Sequence, residues 1–256
     1  MMTFRILILG GTTEAREFAA RLAGREDLAV TLSMAGRTVN PVVQPVPVRI
    51  GGFRGPEGLA DFLRESRTDL LVDATHPFAA RISANASAAA AAAKVPLLVI
   101  QRPEWKQTTG DHWTFADSIP AAVAALGERP RRVFVTLGRQ ELKPLEAAPQ
   151  HHYVIRSVDP VEPRVDVPHA EYILDRGPFE LAREKTLLEG ARIDAIIAKN
   201  SGGSAAYAKI EAARMLGIPV FLVRRPAAPQ GSAAGSVDEA LARLDHLLKP
   251  PAERGE

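Results

Sequence analysis

The feature that most constrains this chain is the alternation of short apolar runs with segments of helical periodicity. Phe4–Leu9 is predicted to be a strand, and Thr13–Leu22, which has apolar residues at helical spacing, is predicted to be the helix after it. The same succession of apolar run, Gly- or Pro-containing turn and helical segment recurs along the chain, which is typical of βαβ units and a mostly parallel sheet. The other predicted strands are 28–33, 46–50, 69–74, 96–100, 133–136, 153–156, 172–174, 193–198 and 220–223. The other predicted helices are 56–66, 78–94, 179–189, 204–216 and 237–248.

This pattern weakens once, in a polar stretch that divides two sets of about five predicted strands. We therefore predict an α/β protein with two doubly wound parallel-sheet domains facing a cleft. The predicted boundaries are 1–102 for the first domain, 103–112 for a crossover, 113–249 for the second domain and 250–256 for a frayed tail.

Composition excludes several classes of function. The chain has no cysteine, which rules out disulfides, thiolate metal sites and cysteine nucleophiles, and we expect no metal. Only 5% of residues are aromatic and no dense basic run is interleaved with them, so we expect no nucleic-acid partner. No apolar segment approaches the roughly 20 residues that cross a bilayer. The N-terminus lacks a signal-peptide pattern, so we expect a soluble, cytoplasmic protein without a membrane partner.

A Gly-rich turn joins the first predicted strand to the first predicted helix. Glycine allows a diphosphate to approach the backbone, and the helix N-terminus supplies N–H groups and a positive dipole end. The turn departs from the G-x-G-x-x-G pattern, and the alternative is a tight turn in which Thr13 only caps the helix. We predict a cofactor phosphate site formed by Gly10, Gly11, Thr12, Thr13 and Glu14.

The end of the second predicted strand distinguishes the two nicotinamide cofactors. A carboxylate there holds the ribose 2′-hydroxyl of NAD, whereas an Arg accommodates the 2′-phosphate of NADP. Ser33 and Arg37 lie at this point, and there is no acidic residue between Val30 and Pro56. This favours NADPH, with a solvated Arg37 as the alternative.

Further candidates follow the next strands of the first half. Thr75, His76 and Pro77 come after the predicted strand 69–74, where they would contact the nicotinamide or its ribose, and Pro77 would open the next helix. Arg81 would lie one turn into that helix, and Gly52 occupies the equivalent position after the strand before it. A His that caps a helix and a Gly that only forms a turn are the alternatives.

The second half repeats a strand followed by a polar, Gly-containing loop. This loop suits an anion because its backbone can approach closely and because a lysine supplies a point charge. It contains Lys199, Asn200, Ser201 and Gly202. Four arginines at other strand ends would join Lys199 around an acidic substrate, although each alone is more often a surface charge. These are Arg102, Arg139, Arg156 and Arg176.

Taken together, the motifs resemble those of the precorrin-6A reductase and cobalt-precorrin-6A reductase family of cobalamin biosynthesis. The most specific are Asp73-Ala-Thr-His-Pro-Phe-Ala79 and Lys199-Asn-Ser-Gly-Gly203. The matching segments occur in family order at 8–15, 35–37, 51–53, 72–79, 102–105 and 199–203.

This resemblance implies two Rossmann-like domains and NADPH-dependent reduction of one ring double bond of precorrin-6A to give precorrin-6B. The substrate would be a tetrapyrrole polycarboxylate, which suits an Arg-lined cleft. By its location His76 is the candidate proton donor, with solvent as the alternative. We expect a monomer or weak dimer.

Two alternatives remain from other classes, namely an NADPH-binding sensor and a reductase of another acidic small molecule. A short-chain dehydrogenase is disfavoured because no Tyr is followed four residues later by Lys.

Overall fold

The computed structural model describes residues 3–36, 42–227 and 231–248. The chain forms two units, residues 1–103 with 226–256 and residues 104–225. Within the described residues each unit contains one six-stranded sheet, and every strand pair is parallel. The predicted α/β class with two parallel sheets is therefore confirmed.

The described strands are β1 (Phe4–Leu9), β2 (Leu28–Met34), β3 (Val48–Ile50), β4 (Leu70–Asp73), β5 (Leu97–Ile100), β6 (Trp113–Ala116), β7 (Arg132–Thr136), β8 (His152–Ser157), β9 (Ala170–Leu174), β10 (Ala195–Lys199), β11 (Val220–Val223) and β12 (Ser232–Ala234). The described α-helices are α1 (Thr13–Leu22), α2 (Pro56–Glu65), α3 (Ala80–Ala93), α4 (Ile119–Ala125), α5 (Leu181–Gly190), α6 (Ala208–Leu216) and α7 (Val237–Leu248). Two short 3-10 helices, Arg139–Glu141 and Lys143–Ala147, follow β7.

The sheet of the first unit has the order β12-β5-β4-β1-β2-β3. Because β1 is followed by β2 on one side while β4 lies on the other, the strand order reverses at β1. In open α/β sheets a crevice forms at such a point, outside the carboxyl ends of the strands. The loops after β1 and β4 therefore lie beside the position where a ligand is expected.

Alternation along β1 gives this sheet two buried faces. Ile6 and Ile8 pack with α1 and α7, whereas Leu7 and Leu9 pack with α2 and α3. Strands covered on both faces read as continuous apolar runs, which explains the sequence pattern of the first half.

The sheet of the second unit has the order β6-β11-β10-β7-β8-β9. One face packs against α5 and α6 through Phe134, Val154 and Ile196. On the other face the hydroxyl of Tyr153 donates a hydrogen bond of 2.9 Å to the carbonyl of Ala148, just after the second 3-10 helix. The strand order reverses between β7 and β10, so the loops after these strands mark the equivalent crevice.

The predicted domain boundaries are wrong at the second domain. Unit 2 begins at Glu104, so the predicted crossover belongs mostly to it, and it ends at Arg225. Beyond it, β12 pairs with β5, and α7 packs on α1 in unit 1. The chain thus crosses between the units twice. The second crossing escaped sequence reasoning because β12 is only three residues long and has no strong pattern of its own.

Helix starts differ from the prediction at three places. The helix predicted at 78–94 begins at Ala80, the one predicted at 179–189 begins at Leu181, and the one predicted at 204–216 begins at Ala208. Before Ala80 and Ala208 a turn precedes the helix and positions polar groups at the end of a strand. Within the described residues no helix has the length and apolar character needed to span a membrane.

Candidate functional site

The turn after β1 passes very close to β2. The Gly10 amide donates a 3.0 Å hydrogen bond to the carbonyl of Ser33. A side-chain carbon on Gly10 would lie 2.6 Å from Leu32 Cδ1, which is too close for any other residue. Gly11 has φ +120° and open space around it, so the backbone there is accessible from outside. This is the exposed, glycine-lined backbone that a phosphate cradle requires.

Thr12, and not Thr13, caps α1. Its Oγ1 accepts a hydrogen bond of 3.1 Å from the Ala15 amide and donates one of 2.7 Å to the carbonyl of Ala74. Thr13 is the first residue of α1 and is exposed. The alternative in which Thr13 caps the helix is therefore wrong, and Thr12 joins the turn after β1 to the loop after β4.

Glu14 and Arg102 form an ion pair in unit 1. Arg102 Nη1 lies 2.5 Å from Glu14 Oε2, and the two side chains are 16% and 22% exposed. Sequence reasoning placed Glu14 with the cofactor and Arg102 with the substrate. The structure brings the two together at the carboxyl edge of the sheet.

Asp73 organises the loop after β4. This carboxylate is 2% exposed at the end of the strand, and its Oδ1 accepts from the Thr75 amide at 3.0 Å and from Thr75 Oγ1 at 2.7 Å. Ser83 of α3 lies 3.3 Å from the same hydroxyl. Thr75 is thus held by a buried acid that sequence reasoning did not select, although its position at the end of a strand was a signal.

His76 lies in a tight turn between β4 and α3. Its Nδ1 accepts a 3.2 Å hydrogen bond from the Phe78 amide, and its carbonyl accepts a 2.7 Å bond from the Ala79 amide. A neutral ring in this geometry carries its hydrogen on Nε2. Pro77 belongs to the turn and does not open the helix as predicted. Arg81 is the second residue of α3 and is exposed.

A cation lies beside the end of β2. Arg49 of β3 is in register with Ser33, and its Nη1 is 3.5 Å from Ser33 Oγ. The same guanidinium donates to the carbonyls of Gly51 at 2.7 Å and Gly52 at 3.0 Å, and it stacks on Phe53. Sequence reasoning missed Arg49, although it lies near the end of a predicted strand, as the selected candidates do.

Arg37, the cation that the sequence favoured here, lies outside the described residues.

In unit 2, Lys199 ends β10 and pairs with a carboxylate after β7. Lys199 Nζ lies 2.5 Å from Glu141 Oε2, which also accepts a 2.9 Å hydrogen bond from the Gly138 amide. Glu141 was not selected from the sequence because only the fold brings β7 beside β10. The lysine is therefore oriented by a carboxylate from the neighbouring loop.

Asn200 does not present its side chain as a ligand group. Its Oδ1 accepts from the Trp105 amide at 2.9 Å, its Nδ2 donates to the Trp105 carbonyl at 3.1 Å, and the residue is 1% exposed. Its own carbonyl accepts a 2.7 Å hydrogen bond from Arg225 Nε. Asn200 instead links Trp105, near the start of unit 2, to Arg225, at its end, so its predicted contact with substrate is corrected.

The remainder of this loop turns sharply. The Ser201 amide donates to the carbonyl of Lys199 at 2.7 Å, and Ser201 is buried. Gly202 and Gly203 have φ values of +65° and +70°, a region that favours glycine. The indole of Trp105 donates to the Gly203 carbonyl at 2.7 Å, which fixes the far end of the loop.

The arginines predicted to surround a substrate fall into different environments. Arg139, in the first 3-10 helix after β7, and Arg176, in the loop after β9, are exposed. Arg156 is instead buried and forms two hydrogen bonds of 2.5 and 3.0 Å with Glu184, so it was wrongly counted as a ligand.

A buried lysine lies near that ion pair. Lys209 Nζ donates to the Ala206 carbonyl at 2.7 Å, in the turn that follows the loop after β10. The pKa of Lys209 is lowered to about 7, mainly because burial disfavours the charged ammonium; the charge of Arg156 also lowers the pKa, and that of Glu184 opposes the shift.

The comparisons with known proteins agree with the motifs. The sequence profile of the precorrin-6x reductase CbiJ/CobK family matches residues 5–245. The chain belongs to this family. The precorrin-6A reductase of Sinorhizobium sp is 56% identical over 246 residues, covering 96% of this chain and 94% of that protein. The precorrin-6A reductase of Rhodobacter capsulatus is 47% identical, covering 96% of this chain and 98% of that protein.

A solved structure, CobK precorrin-6A reductase, is 44% identical and has a TM-score of 0.91, with coverage of 97% of this chain and 99% of that one. The predicted family and the Rossmann-like fold are confirmed. The chain is accordingly an oxidoreductase of cobalamin biosynthesis whose family acts on a carbon–carbon double bond.

Proposed function

We propose that this enzyme uses NADPH to reduce one ring double bond of precorrin-6A, giving precorrin-6B. The observation that carries the proposal is the turn 10–12, which combines accessible glycine backbone with the N-terminus of α1 at the reversal point of the first sheet. Family membership supports the substrate class, and the geometry of this turn supports binding of a dinucleotide there.

The residues present fit a nicotinamide dinucleotide. The turn at Gly10 has no room for a side chain, and the space around Gly11 is empty. Thr12 caps the N-terminus of α1 by accepting a hydrogen bond from the Ala15 amide. The diphosphate would lie against these residues and the first amides of Thr13 and Glu14. When bound, the nicotinamide supplies the hydride, and the protein's part is to orient it and exclude water.

Selection of NADPH over NADH rests on charge at the ends of β2 and β3. Arg49 lies beside Ser33, and the sequence has no acid between Val30 and Pro56 to compete for a ribose hydroxyl. We propose that Arg49 and Arg37 receive the 2′-phosphate, with Gly52 allowing its approach.

The loop after β4 would hold the nicotinamide end. Asp73 fixes Thr75, so the Thr75 backbone and side chain offer a preset edge to the ribose or carboxamide. His76, whose Nδ1 is occupied by the Phe78 amide, would present Nε2–H toward the reacting carbon, with Pro77 limiting the turn. We propose that His76, protonated on both ring nitrogens once Nδ1 releases the Phe78 amide, donates the proton and is left as neutral imidazole, and solvent is the competing source.

Substrate recognition would involve carboxylate contacts, because the proposed substrate carries acetate and propionate groups. In unit 2, Lys199, Ser201 and Gly202 would form an anion-binding loop, with Arg139 and Arg176 as exposed cations after β7 and β9; in unit 1, Arg81 is an exposed cation at the start of α3. Lys199 would exchange or share its Glu141 partner when a substrate carboxylate arrives.

One experiment tests this function. Purified enzyme is mixed with precorrin-6A and either NADPH or NADH, and nicotinamide absorbance is followed together with the tetrapyrrole spectrum. We expect stoichiometric oxidation of NADPH and much slower use of NADH. Absence of oxidation with tight NADPH binding would support the sensor alternative, and equal use of NADH would refute the assigned cofactor preference.

Variants of the basic residues refine this test. Arg49→Ala should weaken NADPH by roughly tenfold or more while changing NADH little, because a charge-assisted hydrogen bond contributes about 1.5–3 kcal/mol. Arg54→Ala, a positive-φ loop residue nearby in sequence, serves as the charge-matched control.

A further inference from the structure

The Glu14–Arg102 pair spans a strand that contributes neither partner. Glu14 is the second residue of α1, directly after β1, and Arg102 follows β5 by two residues. In the sheet β4 lies between β1 and β5. The two side chains therefore meet across the carboxyl end of β4, beside the loop that contains Thr75 and His76.

This pair is more shielded than the other ion pairs of unit 1. Among the described residues, the two side chains are 16% and 22% exposed, against 51% and 64% for Arg64–Asp61 and 54% and 82% for Arg21–Asp238. Shielding from water strengthens a charge interaction at a given distance. Each charge of this pair is therefore screened from a neighbouring charge less than a charge of the exposed pairs is.

Glu14 lies where an anionic ligand is proposed. A carboxylate in the first turn of α1 benefits from the positive end of the helix dipole, as a diphosphate would. The two anions would repel each other if nothing intervened. Arg102 is the cation in place to compensate both, because its planar guanidinium can serve a carboxylate and a phosphate simultaneously.

We propose that Arg102 is a cofactor-positioning residue, held in place by Glu14 and shared with the cofactor diphosphate once the dinucleotide binds. This inference rests on the proposed use of a nicotinamide dinucleotide. It moves Arg102 from the substrate carboxylates, where the sequence placed it, to the cofactor. Glu14 then has two opposing effects, since it orients the guanidinium and competes with the phosphates for it.

The test measures NADPH dissociation constants by nicotinamide fluorescence for wild type, Glu14→Gln, Arg102→Gln, Arg102→Lys and the Glu14→Gln/Arg102→Gln double variant. Glu14→Gln should tighten NADPH by about threefold to tenfold, because the competing charge is removed while the amide oxygen can still accept from the guanidinium and orient it. Arg102→Gln should weaken it by about tenfold or more, and Arg102→Lys should recover part of the loss. In the Arg102→Gln background, Glu14→Gln should tighten NADPH by less than it does in wild type, because the Arg102 guanidinium that the change would release for the diphosphate is absent.

The matched control is the exposed pair of the same unit. Asp61→Asn and Arg64→Gln make the same charge changes, and we expect no shift in the NADPH dissociation constant. Tightening by Glu14→Gln distinguishes positioning from a merely structural role, because a damaged fold would weaken binding.

The KM for precorrin-6A should stay unchanged in Arg102→Gln when NADPH is saturating. A raised KM with an unchanged NADPH dissociation constant would return Arg102 to the substrate and overturn the inference. If wild type binds NADPH and the Glu14 and Arg102 variants have the same dissociation constant, this inference is overturned and the proposed function stands. Wild type that fails to bind NADPH would refute the proposed function and this inference together.

Discussion

At Gly10 the absence of a side chain determines how closely the first turn can approach β2. A Cβ there would lie 2.6 Å from Leu32 Cδ1 and 3.4 Å from Ala15 Cβ, both of which are buried. Neither neighbour can move freely, because Leu32 packs in the core between the sheet and α1. The glycine is therefore required by packing even before any ligand is considered.

Replacement of Gly10 by Ala should lower the free energy of unfolding by about 1–3 kcal/mol, as expected when a packed site is overfilled. Urea denaturation of the whole protein measures this. Gly52→Ala is the matched control, since nothing lies within 4 Å of the added carbon and its φ is outside the left-handed region. We expect that variant to stay within about 0.5 kcal/mol of wild type. Equal losses in the two variants would contradict the packing argument.

For single residues, the sequence predicts positions but not partners. The positions of Thr12, Thr75 and Lys199 at strand ends could be predicted, because turns after parallel strands share one edge. The residues that they and their neighbours contact could not be predicted. Arg102 is 88 residues from Glu14, and Asn200 is 95 residues from Trp105, so both pairs depend on strand order and register that no local pattern contains.

At the scale of elements, the first turn of α6 contains a buried lysine, Lys209. Lys209 is 4% exposed, lies over the ring of Trp105 at 5.1 Å, and faces Arg156 of β8 and Glu184 of α5. Two cations and one carboxylate thus share a space between the sheet and its helices. Burying an ammonium group that lacks its own carboxylate costs free energy, and the lowered pKa of Lys209 is the consequence.

The pH dependence of stability should reveal this lysine. Its pKa falls from 10.5 to about 7 in the folded protein, so between these values the unfolded chain binds more protons. Stability from this group therefore rises as pH increases from about 7 toward 10.5, with a slope of up to about 1.4 kcal/mol per pH unit. Below about pH 7 the lysine is charged in both states and its burial cost is fully present.

Lys209→Met should flatten this slope and raise the free energy of unfolding near pH 7 by more than about 1 kcal/mol. Urea denaturation at several pH values provides the measurement. Lys185→Met on α5 removes the same charge from a side chain that is 41% exposed, and we expect it to leave the slope unchanged. A slope that persists in Lys209→Met would show that another group titrates.

The elements themselves were predicted unevenly. The bounds of β1, α1, β11 and α7 agree with the sequence pattern to the residue. In contrast β6, α4 and β12 were missed. The three-residue β12 exists because β5 offers it a partner more than a hundred residues away, and such pairing leaves no periodic signal.

At the scale of the whole molecule, the last described helix completes the first unit. Leu244 of α7 is fully buried with Ile6, Phe18 and Leu22, and Arg25 pairs with Asp245 at 3.2 Å. The sheet that carries the glycine turn thus depends on residues that follow unit 2 in the chain. Sequence order alone suggested two successive domains, whereas the packing makes unit 2 an insertion in unit 1.

This arrangement predicts which unit a distant core substitution weakens. Leu244→Ala should cost about 2–5 kcal/mol, because it leaves a cavity in the core of unit 1. Hydrogen exchange should accelerate in β1, β4 and β5 while β7, β8 and β10 keep their protection. NADPH binding should weaken as the turn after β1 loses support.

Leu188→Ala on α5 is the matched control in the other unit, since Leu188 is as deeply buried in the core of unit 2 as Leu244 is in the core of unit 1. It should accelerate exchange in β7, β8 and β10 and leave β1, β4 and β5 protected. If both variants accelerated exchange in both sheets alike, the two units would unfold as one cooperative body, and the assignment of α7 to a separately stable unit 1 would have to be abandoned.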